Sequence, residues 1–291
     1  MQDNNNIITK LREQRNSMSK GHKKIADYIC EHYDKAAFMT AAKLGEEVGI
    51  SESTVVRFAS ELGYDGYPEF LHVLKEYTKN KLTAVQRMEI TSSKFAEKDI
   101  LSTVLSSDIE KLRQTAENVS VTDFAGAVNT ICSAKRIYIL GARTCFSIAS
   151  FLGFYLNLIS YDTRLITTNS ASETFEQIFD VSPDDVVIAI SYPRYSRRTL
   201  NAVKYSHDRG AKIIAITDSE LSPIYPYADH KITAGSDMSN FVDSLVAPLS
   251  IVNAIIVAVV MRNGENVAKK FAELENIWDE YQVYEKQLDK E

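Results

Sequence analysis

A chain of 291 residues, 45% hydrophobic and 25% charged, is long enough for two domains and buries a substantial core. Its formal charge of −6 excludes a uniformly basic nucleic-acid coat. The three cysteines, Cys30, Cys132 and Cys145, are too scattered for a disulfide framework or a C-x-x-C zinc site, so a reducing cytoplasm is expected, with no metal or other cofactor.

The polar start, MQDNNN, lacks the apolar core of a signal peptide. Residues 10–24 then concentrate positive charge: Lys10, Arg12, Arg15, Lys20, Lys23 and Lys24 stand against Glu13 alone. Such a run is either an anion-binding face or a solvated helix surface. Ile25, Ile29 and Tyr33 follow at i, i+4, i+8 spacing and predict an amphipathic helix. Thr40 caps the next helix, which turns Ala41, Leu44 and Val48 to one side and stops at Gly49. Ser51 is the expected N-cap of a third helix, and "YPEFLHVLKEYTKNKL" makes a fourth, with Pro68 tolerated in its first turn.

Residues 40–62 thus read as helix, tight turn, helix. Ala41, Leu44, Val48, Ile50, Val55, Phe58 and Leu62 are positioned to form one small core. Ser51, Ser53, Thr54 and Arg57 are left outward at the start of the second helix, with Lys43 on the first. Short hydroxyl residues allow close approach to a groove, and an arginine reaches a guanine edge or a phosphate. "LGEEVGISESTVVRFASELGYDGYPEF" resembles the N-terminal helix-turn-helix of the RpiR family of bacterial transcriptional regulators. The likeness rests on Ser51, Thr54, Val55, Arg57, Phe58, Leu62–Gly63 and Gly66–Tyr67 and covers about residues 5–78. It implies operator binding to double-stranded DNA as a dimer. Residues 1–80 hold 11 Lys and Arg against 12 Asp and Glu, so two copies are expected to bind together, with Lys20, Lys23, Lys24, Lys43 and Arg57 as the cations placed at DNA.

Residues 79–118 read as a helical connector. After Val121, apolar runs at 136–140, 163–167, 186–190, 212–216 and 230–233 alternate with helical segments at 144–158, 172–180, 196–209 and 240–262, and a charged helix closes the chain over 264–288. Solidly apolar strands have both faces covered. The layout predicts an α/β domain over 119–291 with a five-stranded parallel sheet, doubly wound and flavodoxin-like. The apolar stretch 245–261 contains Pro248, Ser250 and Asn253 and reads as a buried helix, with no membrane as partner.

Ligands of such sheets sit beyond the carboxyl ends of the strands. Two loops there carry anion-binding residues. Gly141, Arg143 and Thr144 follow one strand. Ser191, Arg194, Tyr195, Ser196 and Thr199 follow another. Residues 119–262 are also similar to the sugar isomerase (SIS) domain in "VVIAIS", "GAKIIAITDSELSPIYPYADHKI" and "DSLVAPLSIVNAII". That resemblance implies a phosphosugar effector and a homodimer or homotetramer. The chain departs from the family's Ser-x-Ser-Gly-x-Thr loop at Pro193 and Arg194, and the first loop lacks a second glycine. Two other readings stay open: an isomerase, with Glu173, Glu176, His207, Asp218 or His230 as acid–base groups, and a dimerisation scaffold with a defunct pocket. No acid–base pair is evident among these candidates, so a sensor rather than an enzyme is expected. The whole then reads as a repressor of sugar-metabolism genes.

Overall fold

The computed structural model describes residues 7–95, 99–159, 161–236 and 242–284. The chain divides into two compact units, the first comprising residues up to 98 together with 238–242 and the second comprising 99–237 and 243–291. The first is helical: α1 (Ile7–Gln14), α2 (Lys20–Glu31), the short α3 (Tyr33–Ala36), α4 (Ala41–Val48), α5 (Glu52–Glu61), α6 (Tyr67–Lys81) and α7 (Ala84–Phe95). The second contains α8 (Ile100–Asn118), α9 (Val121–Ser133), β1 (Ile137–Gly141), α10 (Cys145–Leu158), β2 (Thr163–Leu165), α11 (Ala171–Gln177), β3 (Val186–Ile190), α12 (Arg197–Asp208), β4 (Lys212–Thr217), β5 (His230–Thr233), α13 (Val246–Arg262) and α14 (Gly264–Glu280).

The core of the first unit gathers Leu11, Ile25, Ile29, Leu44, Val55, Phe58, Leu62, Phe70 and Leu74, with Val48 and Ile50 packed at its rim. Phe58 is the hub, edge-on to Phe70 at 5.7 Å and to the buried His22 ring at 5.5 Å. Burying each such side chain contributes about 1.5–3 kcal/mol. Tyr33, expected to continue α2, instead opens α3, because His32 leaves helical geometry at φ −133°. The Tyr67 hydroxyl donates to Met39 O at 2.9 Å, and burial pushes its pKa up to about 12.

The strands of the second unit run parallel in the order β2-β1-β3-β4-β5, the doubly wound arrangement with its reversal between β1 and β3. Every residue of β1 and β3 is buried. One sheet face, with Tyr138, Leu140, Val187 and Ala189, packs on Ala202 and Val203 of α12. On the other face Gly153 of α10 lies close to Ile139: a Cβ there would stand 3.6 Å from its Cδ1.

Several boundaries differ from the sequence expectation. The edge strand β2 stops at Leu165 rather than 167, since it has β1 alone to pair with. Within the expected connector, α7 lies in the first unit and α8 in the second. There α8 packs on α13, with Thr115 Oγ1 accepting from Gly235 N at 2.9 Å and Asp108 accepting from the Ser244 hydroxyl at 2.6 Å. The described part of the last sheet-covering helix begins at Val246; residue 240 and residues 285–288 lie outside the described residues. Seven residues of α13 are buried, and among the described residues no single helix is long and apolar enough to cross a membrane.

At the amino ends of the strands Asp185 is clamped by Arg136 through Nε and Nη2, each at 3.0 Å, and by the Ser182 amide and hydroxyl, each at 2.8 Å. The Asp185 side chain is 0% exposed and Arg136 16%, so this is a buried pair. Burial alone would raise the Asp185 pKa, but the bonds from Arg136 and Ser182 outweigh it and hold the carboxyl below its ordinary range. A depressed carboxyl stabilises the fold above the unfolded value of about 4 and loses that contribution as pH falls through the folded value. Asp185→Ala is therefore expected to cost about 3–5 kcal/mol at pH 7. In urea denaturation the gap to the wild-type chain should narrow as the pH is lowered into the acid range. A gap independent of pH would rule out the ion pair as its source.

Candidate DNA-contacting helix and ligand loops

Thr40 caps α4 by accepting from Lys43 N at 3.2 Å, and the helix closes at Gly49 in the left-handed conformation, φ 69°. Ile50 N donates to Gly45 O at 2.9 Å and Gly49 N to Glu46 O at 3.3 Å, the paired bonds of a Schellman ending. A Cβ on Gly45 would lie 2.8 Å from Ile50 O, so the turn approaches α4 as closely as glycine permits. The chain then extends through Ser51 and enters α5.

Ser51, Ser53 and Arg57 are exposed and Thr54 half-buried. Ser51 occupies the N-cap position, but its hydroxyl makes no bond to a backbone amide. It joins Ser53 Oγ at 3.0 Å and Thr54 Oγ1 at 2.8 Å instead, and Arg57 Nη2 donates to Thr54 Oγ1 at 3.5 Å. The four predicted contact residues thus form one connected polar patch around the start of α5. Lys43 stands apart from it, ion-paired with Glu46 at 2.9 Å, both side chains more than half exposed (56% and 72%). Solvent screens such a pair, so it does little to hold the lysine.

At the carboxyl ends of the sheet, register pairs Gly141 with Ile190 and brings the β1–α10 and β3–α12 loops side by side. A Cβ on Gly141 would meet Cys145 O at 2.6 Å and Ala149 Cβ at 2.8 Å, because α10 starts directly over the strand end. Arg143 and Arg194 are both exposed and both left-handed, at φ 57° and 64°. The Thr144 hydroxyl donates to Asp243 Oδ2 at 3.3 Å. Ser191 is buried, its amide donating to Ile216 O at 3.1 Å and its carbonyl accepting from Thr217 Oγ1 at 2.7 Å. Tyr195 donates to Asp218 Oδ1 at 2.9 Å. Ser196 caps α12 by accepting from Thr199 N at 3.3 Å, and Thr199 is buried beneath. Gly141, Arg143, Thr144, Ser191, Arg194 and Tyr195 therefore converge on the strand ends, whereas Ser196 and Thr199 shape the helix start.

The rpiR-family helix-turn-helix domain matches residues 5–81, and the SIS domain matches residues 130–258. Similar proteins include HTH-type transcriptional regulators of Clostridium perfringens (24% identical, over 78% of this chain and 81% of that one) and Haemophilus influenzae (24%, over 92% and 94%). Among solved structures, the sugar isomerase domain of an RpiR transcription factor from Sphaerobacter thermophilus aligns with a TM-score of 0.59 and 28% identity, over 62% of this chain and 99% of that one. The Vibrio vulnificus NanR protein complexed with ManNAc-6P aligns with a TM-score of 0.59 and 20% identity, over 95% of this chain and 99% of that one. The chain has the two-domain build of the RpiR family. It is a helix-turn-helix transcriptional regulator with a SIS domain.

In this RpiR-type chain Arg194 stands where the SIS loop pattern carries glycine, and it keeps the left-handed backbone that glycine adopts freely. The acid–base candidates are dispersed. Glu173 sits in the first turn of α11, where its Oε2 accepts from the Thr168 hydroxyl. Glu176 lines a groove with Phe175, Phe179, Tyr205 and Arg209. His207 neighbours Asp208 at 3.5 Å on the surface, and His230 Nε2 lies 2.9 Å from Thr130 Oγ1 against Gly126. Of the five, Asp218 meets Tyr195 of the β3–α12 loop, and Glu173 is linked to the start of α12 through Thr168, whose carbonyl accepts from Arg198.

Two residues at those loops were missed from sequence. Asp243 holds Thr144 from a distant segment, and nothing local signals that pairing. Tyr192 is buried with its hydroxyl lacking a hydrogen-bond partner; burial, then Asp218, Cys145 and Tyr195, raise its pKa. Its sequence signal was only an aromatic residue in a polar strand-end loop. Burial likewise pushes the neighbouring Cys145 thiol up to about 11, which makes it an inert packing residue at neutral pH.

The tight approach at Gly45 is directly testable. Gly45→Ala should lower the stability of the helical unit by about 1–3 kcal/mol, read as a lower thermal midpoint. An unchanged midpoint would mean that the turn has room for a methyl group.

Proposed function

We propose that the protein is a repressor of sugar-metabolism genes that binds operator DNA through α5 and senses a phosphorylated sugar at the β1–α10 and β3–α12 loops. The observation that carries the reading is the connected patch of Ser51, Ser53, Thr54 and Arg57 at the exposed start of the second helix of a tightly turned helix pair. Hydroxyls and an arginine at that place suit base edges and phosphates of the major groove. Lys43, in the first turn of α4, adds a phosphate contact in this reading.

The ligand half of the proposal is supported by the two exposed arginines on neighbouring strand-end loops and by the phosphosugar bound to the Vibrio vulnificus NanR protein. In place of the glycine and hydroxyl of the usual loop, Arg143 and Arg194 supply charged donors, with Thr144, Ser191 and Tyr195 completing the polar lining. Gly141 gives the close helix approach, and Ser196 and Thr199 fix the start of α12. The chain acts in the cytoplasm as a homodimer or homotetramer. Ligand binding favours one arrangement of the subunits and so sets whether two α5 helices match half-sites a whole number of helical turns apart. In this reading the site senses rather than catalyses, in line with the similar proteins named as transcriptional regulators.

Arg57→Ala should weaken binding to the DNA upstream of the chain's own gene at least tenfold in gel shifts while leaving the thermal midpoint unchanged. Full retention of binding would remove α5 from the groove. In a thermal-shift panel of sugar phosphates that includes ManNAc-6P, a ligand at a hundred times its Kd should stabilise the wild-type chain by about 2.7 kcal/mol. Arg194→Gly should abolish that shift without lowering the ligand-free midpoint, because glycine accepts the left-handed backbone. A panel without any shift would leave the second domain as a scaffold, and turnover of a sugar phosphate would make it an enzyme.

A further inference from the structure

The basic run at 10–24 is not one surface. The structure sorts its six cations by what each side chain meets. Lys10 donates to Leu62 O at 2.6 Å and lies over the Tyr64 ring. Arg15 pairs with Asp27 through two bonds, at 2.5 and 2.7 Å. Arg12 sits beside Cys30. Lys23 lies on α2 one turn before Asp27, whose carboxyl is held below its ordinary range by the Arg15 bond foremost and by the Lys23 charge as a smaller contribution. Lys20 and Lys24 remain, both exposed and one helical turn apart on α2.

Their flank of α2 is fixed by its neighbours. A Cβ at Gly21 would stand 3.6 Å from Thr54 Cγ2, so the first turn of α2 abuts the first turn of α5. His22, in the same turn, packs edge-on to Phe58 of α5 and meets Glu61 Oε2 at 3.0 Å. At 3.6 residues per turn Lys24 lies about 60° round α2 from Gly21 and Lys20 about 100°, on the same side, while Lys23 lies about 160° away. Two lysines thus flank the Ser51–Arg57 patch from a separate helix that the core holds rigidly against it.

We propose that Lys20 and Lys24 form a second DNA contact, to backbone phosphates bordering the groove that α5 enters. The first unit is otherwise close to neutral, so this local pair supplies charge that the overall composition does not. Phosphate contacts position a protein on the duplex without reading its sequence. The assignment rests on the DNA reading of α5 but differs from it in its signature. Base-reading residues change discrimination between sequences, whereas phosphate contacts change the salt dependence uniformly.

The test uses the full chain and fluorescence anisotropy on two duplexes, the DNA upstream of its own gene and a scrambled version, between about 50 and 200 mM salt. In Lys20→Gln/Lys24→Gln the slope of log K against log salt should fall in magnitude by about 0.9 for each lysine of each bound copy, so per bound copy the wild-type chain loses about tenfold more affinity than the variant across that range. The ratio between the two duplexes should stay the same, and so should the thermal midpoint. Lys20→Arg/Lys24→Arg should keep the wild-type slope, and Lys23→Gln should leave it unaltered. An unchanged slope in the double variant, with Arg57→Ala still impaired, overturns the contact and leaves α5 in the groove. An equal loss in Lys23→Gln overturns it as well, since net charge rather than position would then be responsible. A wild-type chain with no salt-dependent affinity for either duplex removes both readings.

Discussion

Strands that are buried along their whole length, as β1 and β3 are, must be covered by helices on both faces. A parallel sheet covered on both faces must reverse its winding somewhere, and here the reversal falls between those two strands. The loops leaving their carboxyl ends depart to opposite sides and open a crevice between them. Everything proposed for the ligand follows from that constraint. Gly141 lets α10 start over the strand end, Ser191 is tied to β4 through Ile216 and Thr217, and the two arginines are carried to the same rim. The Arg136–Asp185 clamp secures the other end of the same strands.

That rim holds local conformations that a purely structural loop avoids. Among the described residues, the non-glycine positions with left-handed backbones are Arg143, Arg194 and Gln282, and a left-handed residue with a Cβ costs about 1–2 kcal/mol. Within two residues of Arg194 the Tyr192 hydroxyl is buried without a partner, worth about 1–3 kcal/mol of lost hydration. Each cost is comparable to the burial of one core side chain, which the surrounding sheet supplies many times over. Strain of this kind persists where the surroundings over-determine it, and it gathers at sites that bind or switch.

The helical unit solves a different problem with the same economy of space. Its small core is built around Phe58, and the Gly45–Ile50 approach fixes how α4 meets α5. Hydroxyls that the sequence offered as a helix cap are released from that duty and bond one another around Arg57. Charge follows suit. Most of the basic run is spent on holding α1 and α2 in place, and a minority stands beside the outward patch. A net count over the whole unit therefore conceals the local excess that a polyanion would meet.

Most helix and strand types, the turn at Gly49, the core set from Ala41 to Leu62 and the doubly wound sheet were legible in the sequence, because each depends on the spacing of apolar residues and on glycines at positions where a side chain is strained, whereas α9 was not assigned. The outward polar set Ser51, Ser53, Thr54 and Arg57, proposed to contact DNA, was legible as a surface for the same reason: it is what remains once the apolar face of one helix is assigned. What tertiary structure alone decided were the pairings between distant segments. Asp243 reaches Thr144, Asp218 takes Tyr195, Asp185 takes Arg136, and α8 joins the second unit through Gly235 and Ser244. The sorting of six neighbouring cations into anchors and an exposed pair belongs to the same class. Local periodicity fixes which way a side chain faces along its own element, but the partner it meets there is set by how the elements pack, and nothing within one turn of helix or one strand encodes that.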